Sequence, residues 1–141
     1  MNSRKILVGG LAGGITYFVL GYVFYGLLLS DFFAKHAGTA TGVSKPMDAL
    51  IWWALILGNL FAGLLLSYVF TKWARINSFG AGLGAGGIIG LLVSLSYDLT
   101  NYATSNSISL IGGLADTVVY AIMSAIAGGV IGIVIGMGKK E

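Results

Sequence analysis

Apolar residues gather into four long blocks along this chain, Ile6–Leu29, Ala49–Thr71, Phe79–Tyr97 and Leu110–Met137, with short polar stretches between them. The blocks do not alternate with the period of two that marks a half-buried strand. None carries a Lys or Arg in its interior. A helix needs about 20 mostly apolar residues to cross the hydrocarbon core of a bilayer, and each block reaches or nearly reaches that length. In lipid every backbone N–H and C=O must find a partner within the protein, which selects helices for such runs. A transmembrane barrel would need short alternating segments instead. The pattern predicts an all-α integral membrane bundle of four transmembrane helices, one domain over residues 1–141.

The polar stretches refine this picture. Ser30–Asp48 is the longest connection and holds the only Pro (Pro46) and the only His (His36). Pro46 suits the first turn of the second helix, where a missing N–H costs nothing, and His36 reads as a solvated loop residue. Arg75–Ser78 is so short that helices two and three are expected to be antiparallel neighbours. Asp98–Ser109 is rich in Thr, Asn and Ser, which suit turns and a helix N-cap. The opening Met-Asn-Ser-Arg-Lys before an apolar run has the outline of a signal peptide, and Ala37-Gly38-Thr39-Ala40 could mimic its cleavage site. A signal h-region spans only about 7–15 residues, however, so Ile6–Leu29 reads as a true first span.

Charge sets the expected orientation. Arg4, Lys5, Lys72, Arg75, Lys139 and Lys140 fall on one side of the four blocks, and only Lys35 and Lys45 fall on the other. Basic residues collect on cytoplasmic segments. Both termini are therefore expected in the cytoplasm, with the chain in a bacterial inner (plasma) membrane and the lipid bilayer as its first partner. Only 9% of residues are charged, against about 25% in soluble domains, so a water-facing surface is excluded. The net charge of +3 is scattered at helix ends and offers no basic face for nucleic acid.

Glycine supplies the next signal, at 23 residues of 141. Gly9/Gly13 and Gly10/Gly14 in the first block recur four apart, as do Gly82, Gly86 and Gly90 in the third and Gly128, Gly132 and Gly136 in the fourth. The second has a weaker row, Ala54, Gly58 and Ala62. Small residues at this spacing form flat strips that let helix backbones approach closely. They are expected to pack the bundle, and a strip left free would serve self-association. Ala12-Gly13-Gly14-Ile15 is echoed by Ala85-Gly86-Gly87-Ile88, which shared packing explains better than a duplicated hairpin.

Ionisable residues inside a span are costly and are functional candidates by default. Asp116 lies roughly 10 Å inside the fourth block at 1.5 Å per residue, with no basic residue at its depth. Tyr120 follows at i+4 on the same face, while Asn59, Tyr22 and Ser94 lie at comparable depth in the other spans. These five are the candidate ligand-binding cluster, and its bland alternative is a polar tie between helices. Asp98, Asn101 and Tyr102 are outer-face candidates, with Asp98 expected at the end of its helix as an interfacial anchor. Asp98 and Asp116 together would give two carboxylates, a weak cation site without further oxygens. Phe18, Tyr22 and Tyr25 form an aromatic stripe whose hydroxyls need partners. Trp52, Trp53 and Trp73 read as interfacial belts.

Gly21-Tyr22-Val23-Phe24-Tyr25-Gly26-Leu27-Leu28 resembles the G-x-x-W-Y-x-x-L motif ending the first span of a bacterial four-span family, domain-of-unknown-function family 1761. Thr100-Asn101-Tyr102, followed by Asp116 and Tyr120, resembles its second half. Phe24 departs from the usual Trp, Gly26 stands where Pro is common, and no Trp follows Phe32-Phe33. The resemblance implies the four-span fold and the polar positions and brings no established activity.

An enzyme is disfavoured. With no Cys and a single His in a loop, neither a zinc set nor a Ser-His pair can be built, and the glycine rows are not a phosphate loop. No metal or cofactor is expected. Two readings remain: a non-enzymatic protein that packs through its Gly strips as a homo-oligomer or as an accessory subunit of a larger membrane complex, and a protein that binds or transports a small molecule, lipid or proton through an outer-half polar cavity around Asp116.

Overall fold

The computed structural model describes residues 2–138; Lys139 and Lys140, counted above for orientation, lie outside the described residues. The chain runs through α1 (Asn2–Gly21), a π-helical continuation (Tyr22–Leu28), the short α2 (Ser30–Lys35), a 3₁₀ turn (Met47–Ala49), α3 (Trp52–Val69) with a second π-helical end (Phe70–Ala74), α4 (Phe79–Thr104) and α5 (Leu110–Met137). Four helical segments are long and apolar enough to cross a membrane. The shortest has 23 residues, and at 1.5 Å per residue it extends roughly 35 Å, enough for a hydrocarbon core of about 30 Å. The outward faces carry Leu7, Leu11, Ile15, Ile88, Leu92 and Ile122, all exposed. Water would not tolerate so continuous an apolar surface; lipid does.

Each helix ends for a local reason. Ser78 caps α4 by accepting from the Ala81 N–H, and Ser109 caps α5 by accepting from the Gly112 N–H. The expected end of helix three at Tyr97 is too early, because α4 continues to Thr104. No Gly or Pro interrupts the chain between Gly90 and Gly112, and Thr104 Oγ1 donates back to the Thr100 carbonyl within the last turn. Pro46 precedes the 3₁₀ turn rather than opening helix two, which begins at Trp52.

α5 is the central helix. It packs on α4 along its length and on α1, while α1 packs on α3. The expected pairing of helices two and three is not found: α3 and α4 do not pack along one another. The short connection Ile76–Ser78 instead runs against α5, where a Cβ on Gly132 or Gly136 would overlap the Ser78 or Asn77 carbonyl. Between α4 and α5 the backbones touch. A side chain at Gly82 would strike the Gly128 carbonyl, one at Gly128 the Gly82 carbonyl, and one at Gly86 or Gly90 would strike Ser124. In the first hairpin Gly10, Gly13 and Gly14 meet Leu60, Gly63 and Leu64 of α3. The row expected on helix two is therefore displaced, since Gly58 faces open space.

Asn2, Gly138 and the Arg75 turn lie at one end of the bundle, the terminal end. The two long connections lie at the other, the loop end. There Ala37 and Ile108 form an antiparallel bridge, and the Ala40 N–H donates to the Asn106 carbonyl at 2.9 Å. Gly38 is required at this crossing because a Cβ would overlap the Asn106 carbonyl. His36 is half-buried. Its Nδ1 lies 2.9 Å from the Phe32 carbonyl, and its own carbonyl accepts from Ser109 Oγ.

Candidate functional site

Polar side chains from α1, α4 and α5 meet inside the loop-end half of the bundle. Tyr25 Oη donates to Asp116 Oδ1 at 2.5 Å. Ser94 Oγ and Thr117 Oγ1 both donate to Asp98 Oδ2 at 2.8 Å. Asp116 and Thr117, adjacent on α5, thus each take part in the network, the first as acceptor from Tyr25 and the second as donor to Asp98. One turn deeper, Tyr17 Oη donates to Ser124 Oγ at 2.7 Å. The Tyr17 and Tyr120 rings stack with centroids 5.7 Å apart.

Helical spacing assembles this network. Asp116, Tyr120 and Ser124 follow at i, i+4 and i+8 on one face of α5, and Ser94 and Asp98 at i and i+4 on α4. Asp98 is only 3% exposed. A buried carboxyl is costly unless hydrogen-bonded, and here the neutral hydroxyls of Ser94 and Thr117 supply the donors to Asp98 while Tyr25 supplies the donor to Asp116.

The five-residue cluster expected from sequence is only partly assembled. Asp116 and Tyr120 share a face, but Ser94 serves Asp98. Asn59 Nδ2 donates to the Leu55 carbonyl of its own helix, and Tyr22 is 48% exposed. Asp98 is no interfacial anchor: it points into the bundle, six residues before its helix ends. Nor do the three outer-face candidates form one site. Asn101 Oδ1 accepts from Ser105 and Ser107 and shapes the loop, while Tyr102 is exposed. Sequence reasoning missed Tyr25, Tyr17, Thr117 and Ser124 as members of the network.

A cavity of about 490 Å³ adjoins the network between α1 with its π-helical end and α3, and the Lys45–Leu50 connection covers it. Its walls include Phe18, Tyr22, Trp52, Asn59, Tyr25 and Tyr120. The volume falls within the roughly 300–1,000 Å³ typical of small-molecule sites. Asp116 does not line it; the expected polar cavity around Asp116 is an apolar and aromatic one, with the carboxyl behind Tyr25. Tyr25 thus lines the cavity and is bonded to Asp116 behind it. Among the described residues no three His, Cys, Asp or Glu side chains gather as a metal would need.

Comparison of the chain with protein-family models, with curated proteins and with solved structures gave no match.

Proposed function

We propose that this is a non-enzymatic integral membrane protein that binds a small, largely apolar molecule in the loop-end cavity, with the Tyr25 and Tyr120 hydroxyls as its polar contacts. In the proposed orientation both termini face the cytoplasm of a bacterial cell and the cavity lies in the outer half of the inner membrane. Arg4, Lys5, Lys72 and Arg75 at the terminal end, against Lys35 and Lys45 at the loop end, support that orientation.

The observation that carries the binding reading is the Tyr25 hydroxyl. Tyr25 lines the cavity and its hydroxyl donates to Asp116, so a ligand that draws the Tyr25 hydroxyl toward the cavity competes with a carboxyl of the interior. The π-helical geometry of Tyr22–Leu28 adds support, because i→i+5 turns in helices are frequent at functional sites. Self-association or accessory packing through the Gly rows has less support: the rows of α1, α4 and α5 face other segments of the same chain. The resemblance to family 1761 brings no activity to this reading.

The test is native mass spectrometry of protein extracted in mild detergent or native nanodiscs, beside Gly26→Leu. A Cβ on Gly26 meets only the Tyr22 ring, at 3.5 Å, so a larger side chain has room to enter the cavity without striking backbone. Wild type is expected to carry a reproducible small molecule or single lipid, and Gly26→Leu to lose it at an unchanged unfolding temperature. Wild type that is empty under all extraction conditions, or equal retention by both proteins, overturns the proposal.

A further inference from the structure

A second, smaller cavity lies at the terminal end, on the far side of the molecule from the first. It measures about 120 Å³, and its polar wall is Asn2, Lys5, Thr71, Arg75 and Asn77, set above Phe70. The space equals roughly four waters at about 30 Å³ each, which also suits one tetrahedral oxyanion.

Several independent features single out this place. Thr71 Oγ1 is buried and without a hydrogen-bond partner, the one such side-chain atom among the described residues. Buried hydroxyls are rarely left orphaned, and each exception needs an explanation. Arg75 holds φ at 53°, the one non-glycine residue with positive φ among the described residues. Backbone strain of this kind clusters at functional sites. The turn is closed by the Ile76 N–H donating to the Phe70 carbonyl at 3.0 Å, a position where glycine is the usual choice, yet here the residue is a cation. Among the described residues charge is one-sided as well. Four of the five acidic residues, Asp31, Asp48, Asp98 and Asp116, belong to the loop-end half, and the fifth, Glu141, lies outside the described residues.

We infer that Lys5 and Arg75, with the Thr71 hydroxyl and the Asn2 and Asn77 amides, form a cradle for a phosphate group. Arginine supplies a planar fork that matches phosphate oxygens, lysine a compact point charge. A phosphate oxygen seated between them would lie beside Thr71, whose Oγ1 lacks a partner. The group arrives either as free inorganic phosphate or as the headgroup of a phospholipid, and the chemistry of the cradle is the same for both.

The two sources separate experimentally. Purified protein in a neutral detergent is titrated calorimetrically with inorganic phosphate and, separately, with dihexanoyl phosphatidic acid, using dihexanoyl glycerol as the phosphate-free control. Saturation by inorganic phosphate identifies the free ion; saturation by the short phosphatidic acid alone identifies the lipid headgroup. In either case Arg75→Gly is expected to weaken binding at least tenfold while keeping the left-handed turn and the unfolding temperature. Lys5→Gln is expected to act similarly, and Thr71→Val to weaken binding several-fold. The inference is overturned if neither phosphate compound binds wild type at millimolar concentration, if dihexanoyl glycerol binds equally well, or if Arg75→Gly and Lys5→Gln bind like wild type. Because the cradle and the loop-end cavity share no residue, this result is independent of the function proposed above.

Discussion

Tyr25 carries more of the site than its sequence context suggests. The residue lines the cavity and its hydroxyl donates to Asp116, so Tyr25→Phe leaves a carboxyl oxygen without its donor. The expected cost is about 1 kcal/mol, in line with hydrogen bonds between transmembrane helices, read as a lowered unfolding temperature in detergent. Asp116→Asn is expected to be nearly neutral in the same measurement, since an amide oxygen still accepts from Tyr25. Asp98→Ala is expected to cost more, about 2 kcal/mol, because Ser94 and Thr117 both lose their acceptor. Asp116 was legible from its depth in an apolar run. Tyr25 was not, because the aromatic stripe with Phe18 and Tyr22 assumed α-helical spacing. The wider π turns that follow Gly21 alter that spacing, and Tyr25 turns to Asp116 while Tyr22 stays at the cavity. Asp98 was misread because its neighbours Tyr97 and Thr100-Asn101-Tyr102 look like a helix end. The i, i+4 relation of Ser94 to Asp98 was the signal of an inward face.

At the scale of the helices, the glycines divide into two kinds with opposite expected responses. Gly82→Ala and Gly128→Ala each force a methyl group into a facing carbonyl and are expected to part α4 from α5, destabilising by about 2 kcal/mol, in the range of core overpacking. Gly80→Ala and Gly84→Ala meet open space and are expected to be neutral or to stabilise by up to about 1 kcal/mol through helix propensity. Thermal unfolding of the four variants in one detergent separates the two kinds. The existence of four helices followed directly from block length and from the backbone's need for partners in lipid. Which helices become neighbours did not follow. The brevity of Arg75–Ser78 pointed to α3 beside α4, yet that connection is laid against Gly132 and Gly136 of α5 instead. In the Ala-Gly-Gly-Ile echo, Gly13 and Gly14 of α1 approach α3 and Gly86 of α4 approaches α5, so both copies serve close approach.

The whole molecule is two hairpins, α1 with α3 and α4 with α5, joined through α1 on α5 and clasped at the loop end by the Ala37–Ile108 bridge. Gly38→Ala is expected to open the clasp without unfolding the helices. Hydrogen exchange at the Ala40 amide, which is bonded to the Asn106 carbonyl in the wild type, should rise sharply while amides of α5 keep their protection. The α4–α5 pair has one further consequence. Its contact surface repeats every four residues on both helices, so after sliding by one turn small residues would still meet small residues. Such a seam resembles a rack with identical teeth: it holds two parts together but says little about where along their length they should stop. The stop comes from Thr117 and Asp98, since a slide of one turn would move that donor about 5.4 Å along the axis from its acceptor. A buried carboxyl group thus acts as the index pin of a seam made largely of residues without side chains.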